Sequence, residues 1–456
     1  MKNVCIVLAA GVGKRMHSSL PKVMHPICGR PMVQYVIDAA RGVSDKVIVV
    51  ISEKIDKTVF SNVELVYQKV PLGTGDAVKQ ALTASCNIPD ETPVLIVTGD
   101  NPLIKSSDLE ELLAFYKDTK SGVALLTALS DNPIGFGRIV RCKTDFVKIV
   151  EEKDATEEEK KINEINTGIY VFAKKYLTDA INEITPNNLQ KEYYLTDALT
   201  ILKKKGVKVS VKKLKRKFPV YGVNNRKELS IATKIIQGEI LDKLMLAGVT
   251  IINTDTICID FDVKIENDVT ILPGVLIQGK TTIGKDCVIG PNTRIVDSVI
   301  KNHVNVQYSV VRQANMGDNC KIGPFAYVRP DSKMSKNVKI GTFVEVKKSQ
   351  FGENTKVPHL SYIGDTKVGK NVNIGAGTIT CNYNGLQSKK KPTFIEEDVF
   401  IGSHNTLVAP VKIGKGAYTA AGSVITEEVP EDALAIGRAK QINKKEWAKR
   451  RKKSNG

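Results

Sequence analysis

Aromatic residues are scarce in this chain of 456: they make up 6% of it, with a single Trp. They are not interleaved with the basic runs, so the stacking platforms that hold single-stranded nucleic acid are not expected. His is scarcer still, with five in all: His17, His25, His303, His359 and His404. The eight Cys are scattered and form no CxxC pair. That pattern argues against a zinc site or a disulfide framework and for reduced thiols in a cytoplasmic protein. No apolar run approaches the roughly 20 residues of a membrane helix. The chain opens directly on the apolar run Val4–Leu8, without the charged, apolar and small succession of a leader. Neither a membrane nor a nucleic acid is expected as a partner. The net charge of +18 is diffuse, apart from runs at 203–205, 212–217, 389–391 and the tail from Lys440. Anionic small-molecule substrates account for such a surface.

What the chain does have is a count of six. Ile271, Ile277, Ile283, Ile289 and Ile295 fall six apart, as do Ile322, Val328, Met334, Ile340 and Val346. Val368 and Ile374 make a third run, and Ile401, Leu407 and Ile413 a fourth. Gly often follows the aliphatic residue. Neither the 3.6-residue period of a helix nor the two-residue period of a strand gives this step. A coil of short parallel strands does, each edge sending one aliphatic side chain inward before a corner. The step lapses between Ile295 and Ile322, Val346 and Val368, and Ile374 and Ile401. These lapses are expected to break the wall and push functional groups out of it.

The first half alternates strands at 4–8, 46–50, 94–97 and 123–127 with helices at 32–40, 75–83 and 109–116. Nearly continuous apolar strands of this kind belong to parallel sheets covered on both faces, with ligands at the carboxyl ends. The expected division is an α/β Rossmann-like domain at 1–226, a linker helix at 227–248, the coil at 249–437 and a basic tail at 438–456. The helical pattern itself begins at Asn225, with Leu229, Ala232, Ile236, Ile240, Leu241 and Leu244 on one face. The tail is expected to be disordered or docked on a neighbour.

Gly11-Val12-Gly13-Lys14-Arg15 follows the first strand, and Pro21-Lys22 lies shortly beyond. The turn is neither a Walker loop nor a full dinucleotide fingerprint. Its backbone N–H groups suit phosphate oxygens, and Arg15 and Lys22 can neutralise a triphosphate.

The string 8–23 resembles the signature of sugar-1-phosphate nucleotidyltransferases, and later motifs agree with it. Gln68 with Leu72-Gly73-Thr74-Gly75 resembles the base-recognition segment. Gly99-Asp100 ends a strand where that family carries a metal-binding Asp. The segments 135–139, 149–153 and 164–168 resemble the sugar-binding segments, and 222–226 the closing motif. The resemblance implies that Leu8, Ala9, Gly11, Lys22, Gln68, Gly73, Thr74, Asp100, Gly137, Glu151, Asn166 and Asn224 bind UTP and the nucleotide sugar. Asp100 and Asn224 would hold Mg²⁺, and Arg15 and Lys22 would assist catalysis. Thr98 departs from the aromatic residue usual before Gly-Asp, and Val12 and Lys14 depart from the commonest turn.

The segments 356–365 and 371–385 resemble the acetyltransferase half of the bifunctional N-acetylglucosamine-1-phosphate uridylyltransferase and glucosamine-1-phosphate acetyltransferase family. The likeness covers nearly the whole chain, with the motifs in the same order. It implies a left-handed coil of hexapeptide repeats, a homotrimer, and sites built from more than one chain. His359 would be the base, since an unperturbed imidazole can take a proton from an amine nucleophile near neutrality. Arg329, Lys347, Tyr362 and Asn373 would bind glucosamine 1-phosphate. Ala376, Asn382, Tyr383, Ser403, Ala421 and Arg438 would bind acetyl-CoA. The product expected is UDP-N-acetylglucosamine for envelope synthesis. The rival readings are a nucleotidyltransferase whose coil serves only assembly, and a nucleic-acid scaffold.

Overall fold

The structure, a computed structural model, describes residues 3–85, 87–218, 221–383, 385 and 390–453. It divides into two compact units, Met1–Ile236 and Gln237–Gly456. In the first, seven strands lie in the order Val209–Lys213, Val123–Leu129, Glu164–Ala173, Pro93–Thr98, Val4–Leu8, Lys46–Ile51 and Glu64–Tyr67. All pair in parallel except Glu164–Ala173, which runs antiparallel to both neighbours. Side chains alternate between two cores: Val4 and Ile6 enter one, Cys5 and Val7 the other. The helices Met32–Arg41, Thr74–Ala84 and Ser106–Thr119 form where the apolar spacing puts them. Strand order reverses at Val4–Leu8, whose neighbours are Lys46–Ile51 on one side and Pro93–Thr98 on the other. The crevice beyond Leu8 and Thr98 is therefore the switch point where an open α/β sheet takes its ligand. Helix Arg226–Leu246 begins in this unit and ends in the other.

The second unit is a coil. Successive short strands fall in turn into three parallel sheets of eleven, ten and nine strands. One aliphatic side chain per edge points inward, giving a single core from Val249 to Val429 with Leu241 of the helix packed into it. Each such buried side chain contributes roughly 1.5–3 kcal/mol. Corner residues take a left-handed backbone, among them Asp297, Gln313, Asp331, Lys348 and Asp365.

Two of the three lapses in the count do not break the wall. Between Ile295 and Ile322 the inward row continues through Ile300, Val306, Val311 and Met316, and between Val346 and Val368 through Phe351, Val357 and Ile363. Some edges there are five residues long; their corners are left-handed like those of six-residue edges, and the inward row stays aligned. The third lapse, between the strands Ile379–Cys381 and Thr393–Ile395, falls partly outside the described residues. The expectation that the second lapse extrudes His359 and Tyr362 is thus corrected: both sit in regular strands, Lys356–His359 and Tyr362–Gly364. The tail also differs from expectation, since Trp447–Lys453 is helical with exposed side chains.

Candidate functional sites in the two units

At the crevice of the first unit, four of the expected residues meet. Lys22 Nζ donates to an Asp100 carboxylate oxygen and, at 3.1 Å, to Asn224 Oδ1. Arg15 donates to the same Asn224 oxygen at 2.9 Å. Gly13 makes this possible: its φ is 64°, and a Cβ there would lie 2.5 Å from Lys22 Cβ. Asp100 is held by the sheet, with the Val223 N–H on its carbonyl at 2.8 Å and Gly99 N–H on Leu8 O at 2.8 Å. Burial alone would push the Asp100 carboxyl up; the Lys22 ammonium and the Thr98 hydroxyl override it and hold it below the usual carboxylate range. The hydroxyl of Thr98 thus serves Asp100 directly. Beside these groups Gly11 opens onto free space, and Ala9 N–H is tied to Val50 O at 2.8 Å.

Arg226 carries no expected role, yet it ties this group together. Its guanidinium donates to Met16 O at 3.3 Å and meets His25 Nδ1 at 3.2 Å. The turn bearing Arg15 and the segment bearing Lys22 are both held from a residue two places beyond Asn224. His25 is 3% exposed. Burial first, and then the Arg226 charge, lowers its pKa from the ordinary 6.5.

A second group contains Gly137, Glu151 and Asn166. A Cβ on Gly137 would lie 3.4 Å from the Glu151 carboxylate, and Asn166 N–H donates to Gly137 O at 2.8 Å. Burial raises the Glu151 pKa, helped by the charges of Asp197, Asp154 and Glu192 and opposed by the Thr196 hydroxyl at 3.2 Å. Gln68, Gly73 and Thr74 form a third group. Leu195 N–H donates to Thr74 Oγ1 at 3.0 Å, and Gly75 N–H to Tyr193 O at 2.8 Å. The stretch from Tyr193 to Thr196 therefore joins the second and third groups. Sequence reading missed it; its one signal is a Tyr-Tyr pair just before a helix start.

In the coil, strand register stacks Arg329 over Lys347 and Lys347 over Gly364. Arg329 is paired with Glu345 at 2.7 Å. Lys347 faces a further cation, Lys390, and their contact, together with burial and Arg329, lowers its pKa. Tyr362 OH and Asp365 accept from Asn382 Nδ2 at 3.4 and 2.6 Å. Gly364 leaves the room: a Cβ there would lie 2.4 Å from Tyr362 OH and 2.6 Å from Asn382 Nδ2. Lys390, Asp365 and Gly364 were not singled out in the sequence, because their relation to Lys347 spans different rungs.

The other expected residues follow one corner. Thr342 pairs with His359. The same register, carried on by His404 N–H to Ala376 O and Gly422 N–H to Ser403 O, stacks Ala376, Ser403 and Ala421 below His359. Arg438 Cδ lies 3.8 Å from where a Gly422 Cβ would be. Tyr383 is 62% exposed, with Lys390 Nζ 5.8 Å from its ring centroid. Asn373 stands apart, opposite Lys356 and Phe400 on the neighbouring sheet. One chain therefore does not bring Asn373 to Arg329, Lys347 and Tyr362.

Two known families match these units. A MobA-like NTP transferase domain matches residues 5–180, and the bacterial transferase hexapeptide (six repeats) matches 262–297 and 392–427. A bifunctional protein GlmU from Caldanaerobacter subterraneus subsp. tengcongensis is 50% identical over 453 residues, covering 98% of both chains. The chain belongs to this family of bifunctional GlmU proteins. GlmU relatives from Carboxydothermus hydrogenoformans and Thermoanaerobacter pseudethanolicus are each 48% identical, over 97% and 98% of this chain and 99% and 98% of their own. A chain solved as a candidate glucose-1-phosphate thymidylyltransferase from Bacillus anthracis aligns at 18% identity over 51% of this chain and 94% of its own, with a TM-score of 0.41. That likeness is too loose to bear on the sites. With the GlmU family come the α/β nucleotidyltransferase unit and the left-handed hexapeptide coil of an enzyme with two activities, uridylyl and acetyl transfer. The reading of the coil as an assembly module alone is set aside. Among the described residues no helix is long and apolar enough to cross a membrane.

Proposed function

We propose that the coil acetylates glucosamine 1-phosphate from acetyl-CoA, and that the α/β unit then transfers a uridylyl group from UTP to the product, giving UDP-N-acetylglucosamine in the cytoplasm. The boundaries proposed for these tasks are 1–226 for uridylyl transfer and 249–437 for acetyl transfer. The single observation that carries the first activity is the convergence of Arg15, Lys22, Asp100 and Asn224 on one point. Two oxygen donors there already accept from one cation, the Lys22 ammonium. Hard oxygen donors of this kind suit Mg²⁺, which takes one or two protein oxygens and completes its shell with phosphate and water. Asp100 and Asn224 would hold it, and it would supply charge neutralisation on the phosphates. A sugar-phosphate oxygen attacks the α-phosphorus of UTP, the new P–O bond forms, and the bond to pyrophosphate breaks. Arg15 and Lys22 face the negative charge that builds up on the phosphates. Gly137, Glu151 and Asn166 bind the sugar, and Leu8, Ala9, Gly11, Gln68, Gly73 and Thr74 the nucleotide.

In the coil, the glucosamine amine attacks the thioester carbonyl, His359 takes its proton, and CoA leaves as the thiol. Arg329, Lys347 and Lys390 gather charge for the sugar phosphate, with Tyr362 and Asn382 alongside. Ala376, Ser403, Ala421 and Arg438 line the path of acetyl-CoA, with Tyr383 nearby. The separation of Asn373 from the Arg329 group supports a site completed by another copy, as does an exposed aromatic ladder on the His359 corner. There Tyr308 and Phe325 lie 5.5 Å apart, and Phe325 and Phe343 5.4 Å. The assembly proposed is a homotrimer.

The test is a pair of variants assayed for both reactions. Asp100→Asn should abolish pyrophosphate release yet keep CoA release, and His359→Ala should do the reverse. Normal pyrophosphate release by the first, or normal acetylation by the second, discards the corresponding assignment.

A further inference from the structure

Gln68 begins just past the strand Glu64–Tyr67, and its N–H donates to Ile51 O at 2.9 Å. It lies on the carboxyl edge of the sheet, two strands from the Gly-rich turn after Leu8. At the roughly 4.8 Å spacing of strands, a nucleotide with its phosphates at that turn reaches Gln68 with its base. The Gln68 side chain is not free to choose its orientation. Its Nε2 donates to Asp76 Oδ2 at 2.7 Å and to Gly73 O at 3.1 Å. Both partners are acceptors only, so each requires an N–H, and a primary amide has two. Asp76 is itself braced through Oδ1 by Gln80 Nε2 at 3.2 Å. Gln68 is 4% exposed, which raises the penalty for leaving any of these groups unpaired.

We infer that Asp76 is a specificity-determining positioning residue: by taking one amide hydrogen of Gln68, while Gly73 O takes the other, it leaves only the Gln68 carbonyl oxygen for the base, so the site accepts a pyrimidine with an N–H at position 3. Uracil and thymine have that donor. Cytosine has a bare acceptor nitrogen there and would meet oxygen against nitrogen lone pair. A site that presents an acceptor to a required donor rejects the wrong partner strongly, because the buried group is left unpaired. Asp76 acts through Gln68 and touches no substrate. The inference rests on the reading of Gln68 as the base-contacting residue.

The experiment measures kcat/KM for UTP and for CTP with N-acetylglucosamine 1-phosphate, in the full-length protein and in Asp76→Asn, Asp76→Ala and Gln68→Ala. In Asp76→Asn the new amide can itself donate to Gln68, allowing the Gln68 amide to turn. Its UTP-to-CTP preference should fall about ten- to a hundredfold, mostly through a gain on CTP. Asp76→Ala should relax the ratio in the same direction. If UTP and CTP decline by the same factor in both Asp76 variants, Asp76 is merely structural and the inference fails. If Gln68→Ala leaves the ratio unchanged, it is the base-contact reading that fails instead. Thermal unfolding of each variant separates loss of fold from loss of discrimination, and Asp76→Asn, nearly isosteric, keeps the test open if Asp76→Ala does not fold.

Discussion

His25 shows how a buried ring can bear on a site through the groups it holds. Its ring holds the Arg226 guanidinium, which also holds Met16 O, so Arg15 and Lys22 depend on it indirectly. With a pKa lowered below 6.5 the ring is neutral near pH 7. The stability a neutral His contributes is complete above its unfolded value and is lost as pH falls through the folded one. Acidification from about pH 7 to about pH 5 should therefore lower the unfolding midpoint of the first unit, and His25→Gln should flatten that slope in thermal denaturation across pH. The coil offers the opposite case. Lys390 chiefly, and Arg329 less because Glu345 already pairs it, lower the Lys347 pKa. Lys390→Gln should raise KM for glucosamine 1-phosphate by about tenfold while leaving the unliganded unfolding midpoint unchanged or higher. Equal KM values would remove Lys390 from the site. The signature motifs disclosed Asp100 and Lys22 in the sequence, because their spacing from a strand end is local. Arg226 and Lys390 stayed hidden because their meaning is a distance between segments that only folding brings together.

Among the elements, the six-residue edge was legible because an inward aliphatic residue must recur wherever an edge recurs. The five-residue edge was not, because a strict count of six has no place for a corner closed with one residue fewer. Counting alone therefore took the stretch from Val346 to Val368 for a break, although Phe351, Val357 and Ile363 continue the core. The glycines inside edges carry information of another kind. Gly364→Ala should lose acetyl transfer while keeping uridylyl transfer, since the added methyl group would occupy the space of Tyr362 OH and Asn382 Nδ2. A steady-state acetylation assay checks this; an unchanged rate would mean that the Tyr362–Asn382 arrangement is dispensable. The four strands and three helices read from apolar pattern in the α/β unit form within a few residues of their expected places, because a sheet buried on both faces leaves little freedom in composition; the strands Glu64–Tyr67, Glu164–Ala173 and Val209–Lys213 were not read.

For the whole molecule, the proposed homotrimer would complete the acetyl-transfer site, so assembly should govern the second activity. The ladder of Tyr308, Phe325 and Phe343 lies exposed along the corner that carries His359. Exposed aromatic surface of this extent is characteristic of an interface core. Phe325→Glu with Phe343→Glu should yield monomers by light scattering, lose acetyl transfer and retain uridylyl transfer. A doubly substituted protein that remains trimeric would move the seam to another edge. The mixture of five- and six-residue edges has a consequence for how such a chain can change over generations. A residue lost or gained inside a strand turns every following side chain to the wrong face. At a left-handed corner such as Lys348 or Asp365, the same loss leaves the inward row in place. Corners of the coil are therefore where single-residue insertions and deletions can be absorbed, and the numbering of its rungs can drift while the stack above and below His359 stays in line.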